Sequence, residues 1–106
     1  MADVRVTDPL KRVIRFTSGN WTGHVTKRHP EVGSFRRLAE QAVRRPLEIR
    51  FSPSDSECRL YFGKGPRPGV MIVVVANVLR GLVKTAHFVK VARGDLEWSR
   101  RKPSKD

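Results

Sequence analysis

The stretch that decides the fold is VMIVVVA, residues 70–76, in which seven apolar residues follow one another without interruption. Most of them are β-branched, and a run of this kind predicts a central strand that is covered on both faces. It is the longest apolar run in the chain and is far too short to span a bilayer. The segment therefore predicts a β-sheet with a buried middle strand and no membrane anchor.

Further strand patterns lie on both sides of this run. Residues 47–51 and 58–62 alternate between apolar and polar side chains, and residues 83–90 predict a last strand. The connecting segments SPSDSE and GKGPRPG are rich in turn-forming residues. Residues 13–16 suggest one more short extended segment near the start. The main pattern is four strands joined by short connections, which favours antiparallel pairing.

Two helices are predicted ahead of these four strands. Residues 21–29 form a short helical pattern that Pro30 ends. Apolar residues at positions 35, 38, 39, 42 and 43 then form the stripe of an amphipathic helix that ends at Pro46. The predicted fold class is therefore α+β, with two N-terminal helices packed on one face of a four-stranded antiparallel sheet. Residues 1–93 are predicted to form a single domain with a loose N-terminal arm, and residues 94–106 a charged, flexible tail.

The composition indicates an anionic partner. The 106 residues include 22 Lys and Arg against 10 Asp and Glu, a formal net charge of +12. A surface this positive repels itself unless it binds an anion, and nucleic acid is the partner that such charge favours over a membrane. The single cysteine excludes an internal disulfide and suits a reducing cytoplasm. The opening MADVRVTDPL lacks the apolar segment of a signal peptide, which predicts a mature cytoplasmic protein.

The two histidines of WTGHVTKRHPEV, residues 21–32, allow three interpretations. A zinc site is disfavoured, because five helical residues separate His24 and His29 by roughly 140° and no third ligand has a suitable spacing. Packing at a helix end, where the dipole favours a cation, explains each histidine taken singly. The third interpretation is proton transfer near neutral pH beside a phosphate. The scattered carboxylates do not favour a two-metal nuclease, so no metal or other cofactor is predicted.

Polar side chains on the predicted strands favour the third interpretation. Alternation predicts one open sheet face, opposite the helices, that carries Arg50, Arg59, Tyr61, Thr85 and His87. A purely structural sheet does not need this set, although tyrosine as a cross-strand partner, arginine on a solvated face and threonine as a strand former each have ordinary explanations. Cations at Lys64, Arg67 and Lys90 would attract phosphate.

Several short motifs also follow one another in a recognisable order. They are His24, the run RHPEV at 28–32, Val43 and Pro46 before a strand, RLY at 59–61, and TAH at 85–87 ahead of Lys90. In this order they resemble the phage-associated branch of the barnase–EndoU–colicin–RelE nuclease superfamily, over residues 21–90. The resemblance implies two helices followed by a four-stranded antiparallel sheet. It also implies a small metal-independent ribonuclease, often a toxin or a phage-borne effector.

The resemblance assigns positions near the active site to His24, His29, Tyr61 and Thr85. The family commonly has an aromatic residue after Thr-Ala, where this chain has His87. That histidine either adds a proton-transfer group or marks a site that has drifted from the family pattern.

The function predicted from the sequence is a metal-independent RNA endonuclease that uses histidine acid and base groups to promote attack by the 2′-hydroxyl. The expected partners are RNA and an acidic inhibitor or antitoxin protein. A non-catalytic, basic RNA-binding protein is the alternative, and an interaction module of a phage particle is a third. The predicted catalytic residues are His24, His29, His87, Tyr61 and Thr85, and the predicted substrate-binding residues are Arg50, Arg59, Lys64 and Lys90.

Overall fold

A computed structural model describes residues 3–100 and contains seven strands in one curled, mixed sheet that resembles half of a barrel. The strands are β1 (Val4–Thr7), β2 (Val13–Phe16), β3 (Glu48–Phe51), β4 (Cys58–Lys64), β5 (Met71–Asn77), β6 (Leu82–Val89) and β7 (Leu96–Ser99). Their order across the sheet is β1-β2-β6-β5-β4-β3-β7. The apolar run therefore forms the middle strand, β5, as predicted.

Two helical segments lie between β2 and β3. The first, α1, comprises an α-helical turn at Ser18–Asn20, a π-helical segment at Trp21–Val25 and a further α-helical turn at Thr26–Arg28. A short 3-10 turn, Pro30–Val32, follows it, and the second helix, α2, is Arg36–Arg44. None of the helices within residues 3–100 is both long enough and apolar enough to cross a membrane.

The predicted fold class is wrong in the number of strands, in their directions and in the position of the helices. The four predicted strands are present as the antiparallel set β3 to β6, but β1, β2 and β7 extend the sheet to seven. The sheet is mixed because β2 runs parallel to β6, through the pair Arg15 and Leu82. The helices lie in the middle of the chain and do not precede the sheet.

Two of the added strands, β1 and β7, are short, which explains why the pattern did not reveal them, whereas β2 coincides with the extended segment suggested at residues 13–16. Each of β1 and β7 has four residues, too few to establish an alternation of side chains. The predicted loose arm contains β1, which pairs with β2. The predicted flexible tail contains β7, which pairs with β3, while its residues 101–106 lie outside the described part of the chain. Both strands are held by neighbouring strands and core contacts more than by local propensity.

Helix α2 lies close against the sheet because the strand beneath it has a glycine. A Cβ atom at Gly63 of β4 would lie 2.6 Å from Cβ and 2.8 Å from Cα of Ala42. Both distances are well below van der Waals contact. The short side chain of Ala42 and the missing one at Gly63 therefore set the distance between the helix and the sheet.

The substitution Gly63→Ala is expected to lower the free energy of unfolding by about 1–3 kcal/mol, because the helix must move away from β4. Chemical denaturation of the purified variant measures this change. Gly23→Ala is the matched control, because a Cβ at Gly23 in α1 meets nothing within 4 Å. Equal stability of the two variants would contradict close packing at Gly63.

The sheet register overturns the predicted open face. Tyr61 lies opposite Ile49 on β3 and Val74 on β5, and all three belong to the buried core. Because side chains alternate along a strand, Arg59 projects to the side of Tyr61, and Thr85 and His87 project to the other side. The five residues predicted for one face are therefore divided between two.

Tyr61 belongs to a buried polar cluster, the carboxylate clasp, which consists of Asp8, Arg12, Arg59, Tyr61 and Glu97. The Tyr61 hydroxyl donates to Asp8 Oδ2 at 2.6 Å, and Arg12 Nε donates to the same oxygen at 2.7 Å. The Arg12 guanidinium also donates to both carboxylate oxygens of Glu97, at 2.7 and 3.0 Å. Arg59 Nε donates to Glu97 Oε2 at 3.0 Å.

The clasp connects the two edges of the sheet. Asp8 and Arg12 lie at the turn between β1 and β2, whereas Glu97 lies on β7 at the opposite edge. Burial opposes ionisation of Glu97, but its hydrogen bonds to Arg12 and Arg59 outweigh that effect and lower its pKa. Burial and the hydrogen bond to Asp8 raise the pKa of Tyr61. The cluster thus holds an ionised Glu97 and a neutral Tyr61 phenol at neutral pH.

Candidate functional site

Two of the three histidines meet at β6. Helix α1 ends at Arg28, and His29 leaves helical geometry with φ −133° and ψ 75° ahead of Pro30. This break places the His29 ring against the His87 ring, with the centroids 4.8 Å apart and the planes 27° from parallel. His29 and His87, two of the predicted catalytic residues that lie far apart in the sequence, are therefore in contact in the fold.

Glu31 and a nearby aromatic contact fix the arrangement around the pair. Glu31 Oε2 lies 3.4 Å from His29 Nδ1, so protonated His29 would form an ion pair there. Phe35 packs edge-on against Phe88, the residue after His87, with the centroids 5.4 Å apart. The 3-10 turn and the start of α2 thus hold the His29 ring against β6.

The surroundings of His87 favour its neutral form. Burial lowers the pKa of His87 below its ordinary value, and the positive charge of His29 lowers it further, while Glu31 opposes the shift. Its Nδ1 atom is buried without a hydrogen-bond partner among the described residues, as is Thr85 Oγ1 on the same side of β6. A neutral imidazole beside a second imidazole can accept a proton while its neighbour carries one.

The lowered pKa of His87 makes stability depend on pH. The unfolded chain binds a proton at His87 more readily than the folded one, so this contribution is fully present above about pH 6.5 and decreases as the pH falls through the folded pKa. The urea midpoint should therefore be lower at pH 5.5 than at pH 7.5. His87→Gln should reduce this difference, and His24→Gln should retain it. A wild-type midpoint that does not change would contradict the assignment.

His87 also lines a groove on the side of the sheet that faces away from Tyr61. This apolar groove has a volume of about 500 Å³. Its buried and half-buried side chains are apolar apart from His87, and its exposed members include two cations. The lining residues are Leu60, Phe62, Val73, Val75, His87, Val89, Lys90, Val91 and Arg93.

A cationic hollow adjoins the apolar groove at Lys90, which lines both. The hollow has a volume of about 610 Å³ and is formed mainly by the loop between β4 and β5. It brings the predicted substrate-binding residues Lys64 and Lys90 together with Arg67. The proline and glycine residues of GKGPRPG shape this loop, and its cations are exposed to solvent.

His24 lies in a different place from the stacked pair. It lines a polar groove of about 750 Å³ together with Arg15, Arg80, Lys84 and the turn carboxylates Asp55 and Glu57. His29 and His87 do not line this groove. The prediction that all three histidines surround one hollow is therefore not met, because His24 belongs to a separate one.

Three other predicted site residues are engaged in structural contacts. Tyr61 is fully buried in the carboxylate clasp, away from the stacked histidines. Arg59 is paired with Glu97 and lies over the ring of Phe51, 4.3 Å from its centroid. Arg50 donates to Glu48 at 2.7 Å and to the Gly94 carbonyl at 2.5 Å. These contacts give the three residues structural roles that differ from the cross-strand pairing and the solvated face named for tyrosine and arginine in the sequence analysis.

Sequence patterns did not select two residues that the geometry brings to the site. Glu31 belongs to the HPE run, and its position two residues after His29 could have indicated that it forms an ion pair with that histidine. Arg93 lies beyond β6 in a segment without periodicity, so only the folded chain shows that it joins the groove. Within residues 3–100, no group of three or more His, Cys, Asp or Glu side chains could hold a metal ion.

The fold and the site together define a half-barrel protein, built on a seven-stranded mixed sheet, with an imidazole pair beside an apolar groove and exposed cations. No family model matches the chain, and neither the curated proteins nor the solved structures include a match to it.

Proposed function

We propose that this protein is a metal-independent RNA endonuclease that promotes attack by the 2′-hydroxyl on the adjacent phosphodiester. The observation that carries the proposal is the stacked His29–His87 pair beside a groove with cations at Lys90 and Arg93. Two imidazoles in different electrostatic surroundings provide an acid and a base close together. The resemblance in the sequence supports the same activity independently.

His87 is the general base in this proposal and His29 the general acid. Neutral His87 takes the proton of the 2′-hydroxyl, and the oxygen then forms a bond to phosphorus. The bond from phosphorus to the 5′-oxygen breaks, and protonated His29, supported by Glu31, gives its proton to that oxygen. The products are a 2′,3′-cyclic phosphate and a 5′-hydroxyl. Lys90 and Arg93 would stabilise the additional negative charge on the phosphorane.

The remaining predicted residues have secondary parts in the proposal. Lys64 and Lys90, with Arg67, would hold phosphates on one side of the scissile bond, because they share the cationic hollow. Thr85 supports the strand that carries His87. Tyr61, Arg50 and Arg59 have no role in the reaction, because their polar groups are already engaged in structural contacts.

Cleavage of RNA by the purified protein in EDTA tests the proposal. The expected result is cleavage that leaves a cyclic phosphate, and its loss when the nucleotide at the cleavage site is replaced by its 2′-deoxy analogue. Intact RNA after long incubation, together with salt-sensitive binding, would instead favour the non-catalytic RNA-binding protein, because a charge of +12 supports binding equally well.

The cellular setting follows from the proposed activity. An RNA target and the unpaired thiol of Cys58 are in keeping with a reducing cytoplasm. A ribonuclease made in the cytoplasm would endanger the cell that makes it. An acidic inhibitor protein that covers the cationic hollow is therefore the partner that we propose, and the nuclease itself would act as a toxin or phage-borne effector.

A further inference from the structure

We infer that the apolar groove takes one unstacked nucleobase of the RNA, so that the substrate must be single-stranded at the cleavage point. This inference rests on the proposed function and names the form of RNA that the site accepts. It concerns the groove beside His87, to which the proton-transfer steps assign no ligand.

The lining of the groove suits a base better than a phosphate. Leu60, Phe62, Val73, Val75 and Val89 offer no charge or hydrogen bond to an anion. A nucleobase has two apolar faces and a polar edge, so its faces can contact these side chains while its edge is turned toward His87 and solvent. The volume of about 500 Å³ lies within the range of small-molecule sites and has room for a base with its ribose.

The cations around the groove fix where the backbone of that nucleotide would run. Lys90 lines both the groove and the cationic hollow, and Arg93 is exposed at the groove. A base among the valines therefore has its phosphate near Lys90, and His87 lines the same groove. One nucleotide can thus place its base in the groove and its 2′-hydroxyl beside the imidazole pair.

Double-stranded RNA cannot use the groove in this way. A base within a duplex is paired and stacked, and it must leave the stack before side chains can contact its faces. Loops and single strands expose their bases without that cost. Selectivity for single strands then comes from the shape of the groove, whereas the cations alone would bind either form.

The first test is a titration of wild-type protein that is labelled at valine and leucine methyl groups for NMR. Adenosine and uridine 3′-monophosphates are expected to shift the methyl signals of Val73, Val75 and Val89, and ribose 5-phosphate is expected to leave them unchanged. Equal shifts from ribose 5-phosphate would overturn the inference. A groove that responds to decanoate and to neither nucleotide would also overturn it, because that result indicates an amphiphile site.

The second test fills the groove. Val89→Trp should weaken nucleotide binding and slow cleavage of a single strand by about tenfold or more, since the loss of contacts to one base has an effect of this size. Leu79→Trp is the matched control, because Leu79 is 75% exposed on a turn outside both the apolar groove and the cationic hollow. Unchanged cleavage by a folded Val89→Trp variant would contradict the inference.

A hairpin substrate completes the design, with the same sequence placed in the loop or in the stem. Cleavage in the loop at least tenfold faster than in the stem is expected, and equal rates would overturn the inference. The titration needs no catalysis, so its result stands even where no RNA is cut. If no RNA is cut, and nucleotides but not ribose 5-phosphate shift the methyl signals, the nuclease proposal is wrong and the base site is retained.

Discussion

Replacement of Asp8 by alanine is expected to lower the free energy of unfolding by about 3–4 kcal/mol, the largest loss of stability that we predict for one substitution. The side chain of Asp8 is 0% exposed and accepts four hydrogen bonds. Its removal leaves the buried Tyr61 hydroxyl without its acceptor and takes an anion from beside Arg12. The Tyr61 hydroxyl then bears a desolvation cost that nothing else offsets, and Arg12 keeps only its pairing with Glu97.

Urea denaturation at pH 7 measures this loss. Asp95→Ala is the matched control, because Asp95 is exposed and forms no ion pair within the described part of the chain, so it should change stability by less than about 0.5 kcal/mol. Tyr61→Phe should have an intermediate effect, since it removes one donor and keeps the ring in the core. If Asp8→Ala unfolds at the same urea concentration as Asp95→Ala, the carboxylate clasp does not hold the two edges together.

His87→Ala and His29→Ala are each expected to slow RNA cleavage in EDTA by about 10²–10⁴-fold, the range for loss of a positioned acid or base. This expectation depends on the proposed function. His24→Ala is the matched control, because His24 lines the separate polar groove, and cleavage by this variant should remain within a few-fold of wild type. Binding of an uncleavable 2′-deoxy oligonucleotide should be nearly the same for wild type, His29→Ala and His24→Ala, none of which changes the lining of the apolar groove.

The dependence of the cleavage rate on pH separates proton transfer from a purely structural role. The wild-type rate should pass through a maximum, because His87 must be neutral and His29 protonated in the same molecule. His87→Ala should lose the fall in rate on the acid side, where protonation of the base otherwise stops the reaction. Equal cleavage by all three alanine variants would remove the mechanism, and loss of activity in His24→Ala alone would move the site to the polar groove.

The apolar run, the helical stripe and the alternating segments could be predicted from the sequence, and the short outermost strands β1 and β7 could not. The unbroken apolar run gives β5, and the stripe in residues 35–43 gives α2. Strands β1 and β7 have too few residues for periodicity to distinguish them from loops. Their partners lie far away in the chain, and so the extension of the sheet to seven strands depends on tertiary contacts that no local pattern encodes.

The candidate site, like the fold, could be predicted only in part from the sequence. Residue type suggested proton-transfer roles for His29 and His87, but the contact between their rings was not predicted, and Pro30 explains how the helix releases His29 toward β6. The assignment of Tyr61 to an open face failed because alternation was interpreted as polar against apolar. Tyr61 lies on the covered face of β4 and is accommodated in the core because Asp8 accepts a hydrogen bond from its hydroxyl. The sequence alone does not distinguish a tyrosine whose hydroxyl has a buried acceptor from a tyrosine whose hydroxyl is in solvent.

The carboxylate clasp has a consequence for the behaviour of the molecule at high concentration. Outer strands of a sheet can recruit strands from other copies and so start self-association. Here the outermost strands, β1 and β7, are four residues each, and the clasp draws the ends of the curled sheet toward one another. A second copy could therefore pair with only four residues at either edge, and β1 also carries the charge of Arg5. We therefore expect little tendency of this β-rich chain to form fibrils by edge-to-edge pairing of copies.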